Sequence, residues 1–470
     1  MAPFYQITFS GLAKVAFLLV NILLYKALPA EQVGVFALLY AVAFILATIS
    51  ECGLRGLLVR ELARQTDALP QAQPLLTGAL HSRLLTLLPY LLIGYVCSRL
   101  FVHNTPPDVI MGLLLAASLD SNANVLRGVL RAWNRTTLDP LLTCAFRLLL
   151  LAGTATLFAI DSLTLPHFVL LFLVTATLDL TATLCLIPRL TRLSLNPVAS
   201  VRSTFTLIRR GSHFILLAIL GTIYLRTGSL VLGFSGTPEA LHAVAGLNLS
   251  ARIPEGVAFL PLALMNAAIP YFSRYARQPK TIVPHFRKLE LVLGSAGIII
   301  GVGLVAHATP IILLLATPDY LPYKTIFQFY GLTVFFTFLQ YTYLNLLICL
   351  NKEKQATARY AIILAINLLL NILFVPRFGI MATILALLVC EVASAAIDLI
   401  LLRPHGIHPS RAVLLTWLAI LALCSLLAFA TSALPPILAM AIYWLLGGAM
   451  GAWLLQQHNL TEIRNLPPAQ

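Results

Sequence analysis

Long apolar runs, broken at intervals by charged residues, proline and glycine, follow one another along the chain. A helix needs about 20 apolar residues to cross the hydrocarbon core of a bilayer at about 1.5 Å per residue. The pattern therefore predicts an all-α integral membrane protein with about 14 transmembrane helices. The predicted spans are 7–28, 33–53, 79–100, 109–130, 141–160, 166–187, 211–233, 241–264, 289–306, 325–350, 356–375, 380–402, 412–431 and 436–455.

A basic connection at 188–210 divides these spans. It predicts an N-terminal six-helix lobe at 1–187, a cytoplasmic linker at 188–210, a second six-helix lobe at 211–402, and two extra helices with a short cytoplasmic tail at 403–470. PAEQVGVFALLYA, from Pro29, and PEALHAVAGLNLSA, from Pro238, each open an even-numbered helix after a short turn. Two pseudo-symmetric lobes of this kind are parallel repeats with a cleft between them.

Composition excludes a water-soluble protein. Of the 470 residues, 59% are hydrophobic and 10% charged, whereas a soluble domain carries about 25% charged residues. The net charge of +14 would suggest a nucleic-acid partner in a soluble chain. Here most of the lysines and arginines fall in alternate loops, and the positive-inside rule places those loops and both termini in the cytoplasm. We therefore expect membrane lipids, and no nucleic acid, as partners.

The sequence offers no pattern typical of an enzyme or a metal centre. Its seven cysteines include no CxxC pair and no metal-ligand spacing, so we expect reduced thiols in the core. No paired carboxylate, nucleophile triad or nucleotide-binding glycine loop appears. We expect neither enzymatic activity nor a cofactor. A multi-span glycosyltransferase or polymerase is the less favoured alternative, because the predicted outer loops are short.

Three stretches resemble a known family of membrane proteins. They are 28–64, 245–277 and LNKEKQATARYAIILAINLLLNILFVPRFGIMATILALLVCE, which runs from Leu350 to Glu391. In the third, Asn367 and Asn371 precede a short turn with Pro376 and Gly379. These features resemble the polysaccharide transporters of the multidrug/oligosaccharidyl-lipid/polysaccharide flippase superfamily, over roughly residues 11–402.

The resemblance implies a flippase. Such a protein moves a polyprenyl (undecaprenyl)-pyrophosphate-linked oligosaccharide from the cytoplasmic to the periplasmic leaflet by alternating access, for O-antigen or other surface polysaccharide. It implies a monomer in the inner membrane, with a polysaccharide polymerase and chain-length regulators as further partners. The sequence departs from many relatives in the seventh helix, where IYLRTGSLVLG contains Arg226 and no acidic residue. A cation-coupled multidrug antiporter of the same superfamily is the alternative.

Basic residues inside the spans are the first candidates for substrate contact. A charge at the bilayer centre costs about 2.5 to 3.5 kcal/mol, so such residues usually mark a transport pathway. Lys14, Arg226 and Arg252 are the three that remain when basic residues towards the span ends are counted with the loops. A guanidinium can bind phosphate oxygens through two parallel hydrogen bonds, which suits a pyrophosphate. Glu255 follows Arg252 by three residues, so an ion pair on one helix face is the alternative for Arg252.

Helix 4 of the predicted spans carries a polar stripe. Asp120, Asn124, Arg127 and Arg131 are offset by 0, 4, 7 and 11 residues, which places them on one helical face. This stripe predicts that Asp120 and Asn124 line a wet cleft and contact the substrate. A hydrogen-bonded seam between helices explains the same pattern.

Acidic residues inside the spans are candidates for H+ or Na+ coupling. They are Asp179, Glu391 and Asp398. Burial favours the neutral form of a carboxyl group and so suits reversible proton binding. Each could equally pair with a neighbouring helix, because their spacing forms no cation cage.

Overall fold

The computed structural model describes residues 2–63, 69–133, 137–195, 201–276 and 278–457. Within these ranges all regular secondary structure is helical. The chain divides by internal contacts into unit 1, residues 1–245, and unit 2, residues 246–470. The predicted cytoplasmic tail after 457 and positions 196–200 of the predicted linker lie outside the described residues.

Unit 1 contains the first eight helices. They are α1 (Ala2–Ala27), α2 (Ala30–Ser50), α3 (Leu54–Ala63), α4 (Leu69–Phe101), α5 (Pro107–Ala132), α6 (Leu138–Ala159), α7 (Leu165–Thr191) and α8 (Val201–Leu232). The division between the units falls within α9 (Pro238–Val257). Inside unit 1, α5 packs against α7, and α1 packs against α6.

Unit 2 contains the remaining helices. They are α10 (Phe259–Arg274), α11 (Pro279–Ala306), α12 (Ala308–Leu315), α13 (Lys324–Cys349), α14 (Glu353–Phe378), α15 (Ile380–Leu402), α16 (Arg411–Thr431) and α17 (Pro436–Gln457). Helix α13 packs between α11 and α15, and α11 also contacts α16 and α17. The polar residues of α11, α13 and α15 therefore meet within this unit.

The prediction of an all-α, multi-pass membrane protein is confirmed. Twelve helices of the described part of the chain are long and apolar enough to cross a membrane. Their outer faces carry large apolar side chains, including Leu88 of α4, which is 74% exposed, and Phe429 of α16, which is 78% exposed. Exposed apolar faces of this extent suit hydrocarbon rather than water.

Two of the fourteen predicted spans are not among these twelve. The predicted span 241–264 corresponds to α9 and α10, and α9 contains Glu239, Arg252, Glu255 and an internal Pro254. The predicted span 436–455 corresponds to α17, whose described apolar stretch, Pro436–Gly451, is shorter than the others. Fourteen spans, and the cytoplasmic position of the termini, stay predictions.

Two short helices were not predicted from the sequence. Helix α3 buries Leu54, Leu57 and Leu58 against α4 and α5, while Arg55 is exposed. The chain reaches α3 through left-handed backbone at Cys52 (φ 50°) and Gly53 (φ 67°). Because the arginines of α3 read as loop charges, its amphipathic pattern was missed. Helix α12 is the second such helix, and it buries Ile311 and Ile312.

Several helices extend beyond the predicted spans. Helix α7 continues to Thr191 and α8 begins at Val201, so much of the predicted linker is helical. Basic residues interrupt an apolar run, but they do not interrupt a helix, since arginine and lysine are good helix formers. Hydropathy therefore predicts the membrane segment of these helices and not their ends.

Glycine allows the closest helix approach in unit 1. Gly34 of α2 faces the backbone of α9, and a Cβ atom added to Gly34 would overlap the carbonyl oxygen of Leu241. Gly236 follows α8 with φ 63°, and a Cβ there would lie 2.7 Å from the carbonyl oxygen of Phe101. Any larger residue at these positions would separate the backbones.

Candidate functional site

A chain of buried and half-buried polar side chains, which we call the polar seam, joins α5, α6 and α7 in unit 1. Its members are Asp120, Asn124, Arg127, Asp139, Arg147 and Asp179. Helix α5 contributes three of them at offsets of 0, 4 and 7, the spacing that puts residues on one helical face. The predicted stripe therefore exists, and it faces neighbouring helices.

Arg127 is the most buried member of the polar seam. Its side chain is 1% exposed, and Nη1 donates to both carboxylate oxygens of Asp179, at 2.5 and 2.8 Å. Nη2 donates to Asn124 Oδ1 at 2.8 Å, and Nε lies 3.0 Å from Asp139 Oδ1. A buried guanidinium with this many charged and polar partners is held in one orientation.

Arg147 forms the second ion pair of the polar seam. Its Nη2 donates to Asp120 Oδ1 at 3.0 Å and to Oδ2 at 3.2 Å. The guanidinium carbon lies 4.7 Å from the ring centre of Phe17 on α1 and 5.9 Å from that of Phe172 on α7. A cavity of about 10 Å³, room for about one water, lies beside Asp120, Arg147 and Asp179.

A separate network joins α2, α4 and α5. Arg83 donates to Ser50 Oγ at 2.9 Å, to Ser121 Oγ at 3.1 Å and to Asn122 Oδ1. Ser121 in turn donates to Glu51 Oε1 at 2.9 Å. These bonds tie the end of α2 to two neighbouring helices.

The three basic candidates lie at different degrees of burial. Arg226 of α8 is half-buried, and its guanidinium carbon lies 5.9 Å from the ring centre of Phe44 on α2. Lys14 is exposed on α1, and Arg252 is half-buried on the part of α9 that belongs to unit 2. Their contact with a substrate stays a prediction.

The acidic candidates of unit 2 lie on α15. Glu391 is 4% exposed and accepts a hydrogen bond from Thr337 Oγ1 at 3.0 Å. Asp398 is fully buried, and Arg359 Nη2 of α14 donates to its Oδ2 at 3.0 Å. Asp179 and Asp398, both predicted as coupling residues, therefore form ion pairs with arginine. Neither pairing tests ion coupling.

The asparagines behind the family resemblance face α15. Asn371 Nδ2 donates to the carbonyl oxygen of Asn367 at 2.8 Å, and Asn367 Nδ2 lies 3.7 Å from Cys390 Sγ. Both asparagines are buried. The contact of Asn367 with Cys390 joins α14 to α15, whereas the bond of Asn371 lies within α14.

Three charged residues that pair inside the fold were not among the predicted site residues. Arg147 and Arg359 count with the loop charges, although Arg147 lies well inside the apolar run 141–160. Glu290, which accepts a hydrogen bond from Tyr343, follows Arg287 and Lys288 in the first turn of the predicted span 289–306. A charge followed by a long apolar run is the signal that could have indicated burial for each of them.

These features define the class of protein: an all-helical, multi-pass membrane protein with charged side chains paired between its helices. Residues 4–276 match the family model described as "Polysaccharide biosynthesis protein". The match spans more than half of the sequence, so the chain belongs to this family. No curated protein matches the chain in sequence.

Solved structures of superfamily transporters share the fold. "Lipid II flippase MurJ, inward closed conformation" has a TM-score of 0.75 at 16% identity, covering 94% of this chain and 98% of that one. An inward-facing multidrug resistance MATE family transporter of the MOP superfamily has a TM-score of 0.59 at 14% identity, and the match covers 92% of this chain and 100% of that one. The Vibrio cholerae MATE transporter VcmN in the bent form has a TM-score of 0.54 at 16% identity, and the match covers 90% of this chain and 96% of that one. At these identities the likeness concerns the fold alone.

Proposed function

We propose that this protein is a flippase for a polyprenyl (undecaprenyl)-pyrophosphate-linked oligosaccharide, which it moves from the cytoplasmic to the periplasmic leaflet. The family match over residues 4–276 is the observation that carries the proposal. The lipid II flippase fold at a TM-score of 0.75 supports it, because that protein is named for a lipid-linked substrate. The product would serve O-antigen or another surface polysaccharide.

The sign of the intramembrane charge fits an anionic substrate. A pyrophosphate must exchange its hydration for other partners during passage, and guanidinium groups can bind its oxygens. Arg226, Lys14 and Arg252 are the residues that we assign to this role. A cationic drug would be repelled by the same groups, which argues against the antiporter alternative.

Asp120 and Asn124, both half-buried, are the polar residues that we assign to the wall of the substrate cleft. Asp120 orients Arg147, and Asn124 orients Arg127, through the bonds of the polar seam. Substrate translocation would proceed by alternating access between two lobes around a midplane site. Coupling to H+ or Na+ at Asp179, Glu391 or Asp398 belongs to the same proposal.

The setting follows from the proposed substrate. A lipid-linked oligosaccharide is made at the inner membrane, so we place the protein there as a monomer. Membrane lipids surround it, and a polysaccharide polymerase with its chain-length regulators would use its product. The function needs neither enzymatic activity nor a resident cofactor.

Binding and flipping by the purified protein test the proposal. We expect polyprenyl-pyrophosphate-linked oligosaccharide to raise the melting temperature, since ligand binding stabilises by RT ln(1 + [L]/Kd). Polyprenyl phosphate without sugar should raise it less, and a cationic drug should not raise it. Stabilisation by the drug alone would favour the antiporter, whose fold this chain also shares.

Variants of Arg226 test the charge argument in proteoliposomes. Arg226→Ala should abolish flipping, and Arg226→Lys should retain part of it, because the charge remains while the two-pronged geometry is lost. Arg377→Ala, at an exposed position at the end of α14, is the matched control and should flip normally. Full activity of Arg226→Ala would remove Arg226 from the mechanism.

A further inference from the structure

Glu290 differs from the other buried carboxyl groups. Four acidic side chains among the described residues are buried: Asp179, Glu290, Glu391 and Asp398. Asp179 and Asp398 pair with Arg127 and Arg359. Glu290, which is 0% exposed on α11, forms no ion pair with any described residue.

Glu290 contacts an aromatic cluster through Tyr343. Tyr343 of α13 donates its hydroxyl hydrogen to Oε1 at 2.6 Å, while Oε2 has no hydrogen-bond partner among the described residues. The ring centre of Tyr343 lies 6.0 Å from that of Phe286, which lies 6.0 Å from that of Phe272 on α10. Arg287, three residues earlier on α11, is the charged group that acts on Glu290 at longer range.

This pocket stabilises a neutral carboxylic acid better than a carboxylate. Moving an ion from water into the protein interior costs several kcal/mol of free energy. Only a close counter-charge together with further hydrogen bonds offsets this cost. One hydroxyl donor at Oε1 supplies part of that compensation, and Oε2 receives none. A proton on Oε2 removes the charge.

We propose that Glu290 is an exchangeable proton site of unit 2. In the conformation described here the carboxyl group holds a proton on Oε2. In a conformation that admits water, the O–H bond breaks, the proton passes to water, and the remaining carboxylate keeps the hydrogen bond from Tyr343. No other bond changes and nothing is oxidised or reduced.

The role of this proton in transport rests on the proposed flippase function. Proton binding at Glu290 does not, since it follows from the pocket alone. In a transporter, release of the proton from Glu290 would be coupled to the change in conformation. The coupling ion would then be H+. Glu290 is a different residue from Asp179, Glu391 and Asp398, the acids that the sequence offers as coupling candidates.

Tyr343 supplies the hydrogen bond that Glu290 accepts. Three further titratable or charged groups on helices next to α11 face other partners or are exposed. Tyr271 of α10 contacts His285, Tyr443 of α17 donates to the carbonyl oxygen of Ile299, and Arg411 at the start of α16 is exposed. The ionisation of Glu290 therefore depends chiefly on Tyr343, Arg287 and access of water.

Infrared difference spectroscopy on the full-length protein in lipid tests proton binding directly. We expect a carbonyl band of a protonated carboxylic acid near neutral pH that disappears reversibly as the pH is raised. Glu290→Gln keeps the shape of the side chain and should lose this band. Tyr343→Phe should keep the band at a shifted frequency, because the hydrogen bond to Oε1 is gone.

Glu353→Gln, an exposed acid at the start of α14, is the matched control and should keep the band unshifted. A pH-dependent carbonyl spectrum that Glu290→Gln leaves unchanged would overturn the proposal. So would a Glu290 band that persists at every pH at which the protein stays folded, because the proton would not exchange.

Flipping assays separate the coupling role from the proposed function. If wild-type protein flips the lipid-linked oligosaccharide faster under an imposed proton gradient, Glu290→Gln should lose that stimulation and Glu353→Gln should keep it. Retained stimulation in Glu290→Gln would refute coupling through Glu290. An exchangeable Glu290 band in a protein that does not flip this substrate would support the proton site while the proposed function fails.

Discussion

The carboxyl groups of the two units have different hydrogen-bond partners. In unit 1, the buried Asp179 and the half-buried Asp120 each accept two hydrogen bonds from an arginine, Arg127 or Arg147. In unit 2, Glu290 and Glu391 accept hydrogen bonds from the hydroxyls of tyrosine and threonine. Asp398 receives a single bond from Arg359. The carboxyl groups of Asp179 and Asp120 face a cation, whereas that of Glu290 faces a hydroxyl group.

The two kinds of carboxyl group suit different roles. One kind holds helices together, and the other can exchange a proton. A carboxylate whose two oxygens both accept from one arginine is held against that partner, so it fixes helix positions. A carboxyl group with a hydroxyl partner can gain or lose a proton without breaking that hydrogen bond. We therefore expect variants of unit 1 to affect stability and variants of Glu290 to affect pH dependence.

The largest effect should come from Arg127→Ala. It leaves Asp179 and Asp139 without their shared cation inside unit 1, and breaking a buried pair by removing one partner costs about 3 to 5 kcal/mol. The free energy of unfolding in detergent, from denaturant titration, measures this cost. A loss below about 1 kcal/mol, the range of exposed pairs, would contradict the role of Arg127 as a clamp.

Arg147→Met should have the next largest effect. The change removes both hydrogen bonds to Asp120 but leaves an apolar side chain between Phe17 and Phe172, so we expect a loss of about 2 kcal/mol. The pair is partly exposed, at 17% and 21%, which lowers the cost relative to Arg127. The same titration measures it, and a cost equal to that of Arg127→Ala would reverse this order.

Tyr343→Phe should cost about 1 to 2 kcal/mol, since it removes one buried hydrogen bond to Glu290. The double variant Tyr343→Phe with Glu290→Gln measures the coupling between the two residues. Unfolding free energies that simply add would show that Tyr343 does not support Glu290.

Thr337→Val should have the smallest effect. It removes a hydroxyl that donates to Glu391 and keeps the size of the side chain, so we expect about 1 kcal/mol. A thermal melt of the purified protein measures the change. A loss as large as that of Arg127→Ala would mean that the acids of unit 2 are held as firmly as those of unit 1.

Much of the fold could be predicted from the apolar pattern. The lengths of the apolar runs predicted the membrane spans. In hydrocarbon, the backbone N–H and C=O groups must form hydrogen bonds within the helix, so each crossing is a continuous apolar helix. The ends of α7 and α8 could not be predicted from hydropathy. Arginine and leucine are both good helix formers, so a helix can continue beyond its apolar stretch. Helix α3 was missed for the same reason.

The candidate site was predictable in part. The offsets of Asp120, Asn124 and Arg127 correctly placed them on one face of α5. Their partners could not be read from spacing, because Asp179 follows Arg127 by 52 residues. Arg147 was read as a loop charge and proved to be the cation that neutralises Asp120.

The sequence by itself determined that this protein crosses a membrane many times and that few charges lie in its spans. Both follow from local composition, because the cost of exposing a polar group to hydrocarbon is paid residue by residue. Only the tertiary structure decided which charges meet. Arg127 and Asp179 come from different helices, and whether a carboxyl group faces an arginine or a tyrosine depends on how those helices pack.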